Sequence, residues 1–286
     1  MLPLLVGALV VALIALGAVL YVQLSEDGEG DETPQESRAA VYRVVDTGNM
    51  NEVLASRDVD TRDLNAGELF ERRTAEISSQ SIEFVLRDSE LVGDCSEAVW
   101  GEEVEEALAA ADCTQAGMAT YVADNYFGAA TVFNLDDVED SRAVANAMDL
   151  PEPEEEGEEP VDPGFILPPS GEEPFDRLGS GYSAADAIVS GHYLVVVWVQ
   201  ATGSDSVEDR VSLASPLVAL ANFRDPLYRR MVELSDGDED TGTEEESVEP
   251  PLEEEPVEEP PLEEEPAEEA PVEEAPADEE PGVPGD

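Results

Sequence analysis

Lysine is absent from this 286-residue chain, arginine occurs 13 times, histidine once and cysteine twice, against 70 aspartates and glutamates. The formal net charge is -57. Clustered cations are what neutralise a phosphate backbone and release its counterions, so so thin a supply excludes direct nucleic-acid binding. Attachment to anionic lipid headgroups by charge is disfavoured for the same reason. A closed structural zinc site takes four nitrogen or sulfur ligands, more than one histidine and two cysteines provide. No nucleophile elbow, phosphate loop or paired metal-ligand spacing occurs in the chain. Accordingly no catalytic residue, metal site or cofactor is assigned.

What is present is negative charge, and it is segregated. Residues 235–286 hold 24 acids, no base, ten prolines and no aromatic, while 25–37 add six acids and 149–174 add ten. In the C-terminal stretch, Pro251, Pro256, Pro261, Pro266, Pro271, Pro276 and Pro281 recur at every fifth position. Proline at that spacing forbids a helix, and so polar a segment cannot bury enough apolar area to offset chain entropy. A disordered, self-repelling tail is expected there, able to gather divalent cations or basic partner proteins. The remainder carries 30 acids against all 13 arginines. The division that follows is an anchor at 1–24, an acidic linker at 25–38, an α+β domain at 39–234 with an acidic loop at 149–174, and the tail at 235–286. Acid excess without lysine fits either a high-GC genome or adaptation to salt.

Leu2 to Val22 is free of charge and rich in Leu, Val and Ala. At about 1.5 Å per residue such a run matches the roughly 30 Å hydrocarbon core of a bilayer. A retained single-pass membrane anchor through residues 2–22 is expected. A cleaved signal peptide, with Ala15 and Gly17 before the cut, is the alternative, but the run is long for that and lacks a charged start. Arg38 and Arg43 beyond the span lean toward a cytoplasmic body, whereas the acidic stretch directly after it suits an extracytoplasmic one. The second orientation is the expectation.

In the foldable part, Ile82–Leu86 reads as a strand and Ser96–Ala111 as a helix with Trp100, Val104, Ala107, Leu108 and Ala111 on one face. Gln115–Val122 and Phe127–Leu135 form a hairpin around Asp124, Asn125 and Tyr126, and Asp136 caps a helix to Met148. This β-α-β-β-α order is most of a ferredoxin-like unit. Tyr182–Val189 and His192–Thr202 make a second hairpin, with Tyr193–Val199 apolar on both faces and therefore central. Asp205 with Glu208 offers a capping box, and Pro216 and Pro226 open helices, so three short helical pieces end the domain with Arg229 and Arg230 in the last turn. Val41–Val45 reads as a strand, Ala66–Ile77 as a helix, and Phe165–Leu167 as an edge strand within the acidic loop.

The segments Asp94-Cys95-Ser96-Glu97-Ala98-Val99-Trp100-Gly101, Cys113-Thr114-Gln115, Ala119-Thr120-Tyr121, Val132-Phe133-Asn134-Leu135 and Gly191-His192-Tyr193 together resemble a family of membrane-anchored actinobacterial proteins with no established activity. The resemblance covers roughly 90–225. It implies anchoring and export and implies no reaction. Gly117 and Met118 stand where those proteins often carry a basic residue.

Four groups are weighed as sites. Cys95 and Cys113 would pair in an oxidising compartment. A continuous helix between them would hold them more than about 20 Å apart, but a break at Gly101 would bring them together; a bridge is expected, with two buried free thiols as the alternative. His192, the only imidazole, is either a strand-entry residue bonded to backbone or the base of an exported enzyme served by Asp186 or Asp176. Gly179, Gly181 and Ala184 match a loose dinucleotide pattern without a following helix and read as a turn. Asp236, Asp238 and Asp240 mimic the start of a calcium loop, but Gly242 is one place late and Ser247 stands where Glu is required, so they read as a solvated acidic run. The function expected is a surface-exposed binding or structural protein on one membrane anchor; the alternatives are the His192 enzyme and a cytoplasm-facing domain.

Overall fold

A computed structural model describes residues 36–151 and 161–241. The expected membrane span, most of the acidic linker, the centre of the acidic loop and the tail beyond 241 lie outside those residues. Among the described residues no helix is long and apolar enough to cross a membrane.

The fold is α+β. A seven-stranded sheet runs in the order β1 (Val41–Asp46), β8 (Ser183–Ser190), β9 (Tyr193–Ala201), β6 (Tyr126–Asn134), β5 (Gln115–Val122), β3 (Ile82–Val92) and β2 (Glu76–Ser79). β1 lies parallel to β8, and every other pair of neighbours is antiparallel. Strands apolar or small on both faces must be covered on both, which puts β5, β6, β8 and β9 in the interior and leaves β1 and β2 at the edges. Along β9, Leu194, Val196 and Trp198 enter one core, and Tyr193, Val195, Val197 and Val199 enter the other. The first core is covered by α3 (Glu102–Ala110), α4 (Val138–Ala147) and a separate strand pair, β4 (Val99–Trp100) with β7 (Phe165–Ile166). α1 (Asn49–Val53), α2 (Ala66–Phe70), α5 (Ala214–Leu220) and α6 (Asp225–Thr241) close the second.

Several expectations need correction. A ferredoxin-like unit interleaves its strands, whereas here β3, β5 and β6 are successive neighbours. The reason lies in the segment read as one helix. Cys95–Ala98 is a 3₁₀ turn, β4 follows, and Gly101 at φ 99 reverses the chain before α3 begins. A side chain at Gly101 would lie 2.4 Å from the Pro163 carbonyl oxygen, because the loop before β7 crosses there. With the chain already turned back, α3 bridges antiparallel neighbours and Cys95 reaches Cys113 at a Cα separation of 6.2 Å, forming the disulfide.

α2 stops at Phe70 rather than Ile77, since Thr74 and Ile77 belong to a turn and to β2, where Ile77 is buried and the Thr74 carbonyl accepts a hydrogen bond from the Tyr121 hydroxyl. Asp137, not Asp136, caps α4 by accepting from the Asp140 amide, and Asp136 instead pairs with Arg57 at 3.1 Å. The capping box opens no helix: Asp209 accepts from the amides of Asp205 and Ser206, closing a turn. Pro216 is the third residue of α5, not the first. Three helical pieces do end the domain, the middle one a 3₁₀ turn at Ala221–Arg224. The last, α6, continues past 234 to Thr241, so Arg229 and Arg230 fall near its start.

Candidate functional site

His192 sits in the turn between β8 and β9 and is fully buried. The turn is pressed against the end of α1: Gly191, at φ 72, approaches so closely that a side chain there would lie 2.1 Å from the Leu54 carbonyl oxygen. That carbonyl accepts from the His192 amide at 2.8 Å and from its Nδ1 at 3.0 Å, while Asn51 Oδ1 accepts from the Gly191 amide at 2.7 Å. Nε2 has no hydrogen-bond partner among the described residues. Burial pushes the imidazole below its ordinary pKa, outweighing the Leu54 carbonyl and the Asp60 charge, and keeps it neutral.

The carboxylates considered as its partners are elsewhere. Asp186 lies on β8 and is held by Arg43 through two hydrogen bonds of 2.9 and 2.8 Å, and Asp176 lies in a 3₁₀ turn at Phe175–Arg177. No ion pair among the described residues involves His192. The structure does not assemble His192 with either aspartate.

Beside His192 the chain instead builds a buried ionic cluster around Arg230, a residue not singled out as a site in the sequence. Arg230 and Asp60 are each 1 % exposed. Nε and one terminal nitrogen of Arg230 grip Glu68 at 2.8 and 2.5 Å, and the other terminal nitrogen donates to the Tyr193 hydroxyl at 2.7 Å, the Arg62 carbonyl at 2.8 Å and Asp60 at 3.3 Å. The Asp63 carbonyl accepts a further bond at 2.8 Å. Arg62 closes the circle, bonding Asp60 at 2.8 Å and Glu233 at 2.7 Å. Burial alone would raise the Asp60 carboxyl; the hydrogen bond from Arg62 and the charges of Arg230 and Arg62 hold it below the usual range. Every donor of the guanidinium is used, so the cluster clamps α6 to the loop before α2 and to β9, and offers no free base or nucleophile. A signal was present in the sequence: Leu227, Arg230, Met231 and Leu234 follow the inward spacing of an amphipathic helix, with one charge among the apolar positions.

The remaining candidates separate. Cys95 and Cys113 are joined. Gly179 donates to Gln200 Oε1 at 2.8 Å and is followed by β8 rather than a helix. The backbone from Asp236 to Thr241 is helical, which is not a calcium loop. Among the described residues no group of three or more His, Cys, Asp or Glu side chains is arranged to hold a metal ion. Comparison of the chain with protein-family models, curated proteins and solved structures finds no match.

Proposed function

We propose that the chain is a single-pass, membrane-anchored protein whose α+β body stands outside the membrane and acts by binding or by spacing rather than by catalysis. The observation that carries this reading is the disulfide between the only two cysteines. Structural disulfides persist in oxidising compartments, and the charge-free run at 2–22 supplies the means of staying attached to a membrane there. Burial of His192 and its bond to a backbone carbonyl favour binding over an enzymatic role. The resemblance to membrane-anchored actinobacterial proteins supports the same placement. On this reading the acidic charge of the linker and of the Pro/Glu-rich tail serves solubility, and the tail collects divalent cations or basic proteins.

Protease added to intact cells tests the proposal. Loss of the body from unlysed cells, with Cys95 and Cys113 unreactive to a membrane-impermeant maleimide until reductant is added, is the expected result. A body that survives until lysis would reverse the orientation.

A further inference from the structure

Of the two edges of the sheet, one is blunted and the other is open. β2 is only four residues long and stops before the β-bulge between Leu86 and Asp88. β1 is six residues long, keeps an unbroken register against β8 and contains no proline. Short length, bulges and proline are the usual means of keeping another strand off an edge, and β1 uses none of them. Among the described residues no strand pairs with its outer side.

The backbone fixes which groups that side presents. The Thr47 amide donates to the Val189 carbonyl at 3.3 Å, and in a parallel ladder alternate residues of a strand bond to the same neighbour. Val41, Arg43 and Val45 therefore aim their N–H and C=O groups at β8, while Tyr42, Val44 and Asp46 aim theirs outward. This outward set is its own complement. A twofold axis normal to the sheet and beside Val44 brings a second β1 alongside, antiparallel, with Val44 opposite Val44 and Tyr42 opposite Asp46, so that every outward donor meets an outward acceptor. Any other twofold register sets Tyr42 or Asp46 against chain beyond the strand.

The side chains suit the same register. Tyr42, Val44 and Asp46 lie on the face of α4, where the Tyr42 hydroxyl donates to the Ala145 carbonyl at 2.6 Å, and Val41, Arg43 and Val45 lie on the other. Val41 and Val44 are 37 % and 39 % exposed, apolar side chains that the fold leaves in water. The pairing covers both, Val44 against its own copy and Val41 against Thr47. Two copies of a chain of net charge -57 repel, so a surface on which they meet must carry little uncompensated charge. The charged residues of β1 are matched within their own copy, Arg43 by Asp186 at 2.8 Å and Asp46 by Arg142 at 2.9 Å. A charged foreign segment would find no unmatched charge there to select it, whereas a second copy is admitted.

We propose that two copies of the chain associate by antiparallel pairing of β1 with β1 about Val44, joining two seven-stranded sheets into one. The pairing follows from the fold of the body and does not rest on the side of the membrane that the body occupies.

Sedimentation equilibrium of the full chain in detergent at micromolar concentration tests it. A dimer is expected, tighter at about 500 than at about 50 mM NaCl because salt screens the repulsion between copies. Val44→Pro removes an outward N–H and leaves the ladder to β8 intact, so it should weaken the dimer at least about tenfold while circular dichroism shows the fold retained. Val44→Glu and Val44→Arg should each do the same alone, because the residue faces its own copy, and an equimolar mixture of the two should dimerise more tightly than either. A wild-type monomer overturns the proposal, as does a dimer that both Val44→Pro and Val44→Glu leave unweakened, or a mixture no tighter than its components. A monomer would leave the proposed location standing, and a cytoplasmic body in the protease experiment would sink that location and leave this measurement standing.

Discussion

On the face of the sheet carrying α3 and α4, the chain is closed by a covalent link between residues near in sequence, Cys95 and Cys113, together with Phe165, which packs edge-on against Trp198 and Tyr42. On the face carrying α5 and α6, closure depends on a buried charge, Arg230, reaching Asp60 and Glu68 from more than 160 positions away. The first device limits the unfolded chain over a short loop. The second acts only once the ends of the domain have met, and its worth depends on every partner being present, because a buried ion left unpaired keeps its desolvation cost. The two faces therefore differ in how they fail: the disulfide face loosens, whereas the ionic face is left with an uncompensated charge.

Arg230→Ala should have the largest effect, destabilising by about 3–5 kcal/mol in urea unfolding, since buried Asp60 would be left with Arg62 alone and Glu68 with no cation. Arg230→Lys should recover little of this, because an ammonium cannot span Glu68, Asp60 and the Arg62 and Asp63 carbonyls at once. A loss below about 1 kcal/mol would show that Arg62 alone satisfies Asp60, and the contrast between the faces would vanish. Replacing Cys95 and Cys113 by Ser comes next, at about 3 kcal/mol in the loop-entropy account. Reductant should shift unfolding of the native chain by a similar amount and leave the double variant unmoved.

Acid should weaken the Arg230 face selectively. The folded-state pKa of His192 lies below its unfolded value, so the unfolded chain takes up the proton first. The stability contributed by the neutral imidazole is fully present above about pH 6.5 and is lost as pH falls below that, and the depressed Asp60 carboxyl adds its own loss at still lower pH. His192→Gln should flatten the slope of unfolding free energy between about pH 5 and 7; an unchanged slope would assign it to the carboxylates. The smallest effect expected is at the start of α4. Asp137→Ala should cost about 1 kcal/mol by removing a cap, and Asp136→Ala, whose exposed pair with Arg57 is screened, about half that or less. The reverse ranking would restore Asp136 as the cap.

Four of the five interior strands, β5, β6, β8 and β9, were legible because each is a run of apolar and small residues bounded by turn chemistry, and Gly191 and Asn125 mark the reversals. Phe165 and Ile166 were legible as apolar residues inside an acidic loop. The helix from 96 to 111 was misread because its periodicity is real from Val104 to Ala111 and continues by accident through Trp100, which belongs to β4 and donates from Nε1 to the Ser37 carbonyl. Of the candidate site residues, the cysteine pair carried its own geometric test through Gly101. His192 carried none, since nothing in its neighbours states that Leu54 will be beside it.

Local spacing and composition were enough for the α+β class, the central position of β9 and the segregation of acid from the domain, because each follows from period, turn chemistry or charge within a few residues. The strand order, the register of β1 against β8 and the identity of the Arg230 partners are contacts between distant segments. Such contacts are selected by which surfaces can be buried together and which charges can be satisfied at the same time, and that choice is made only when the whole chain has packed.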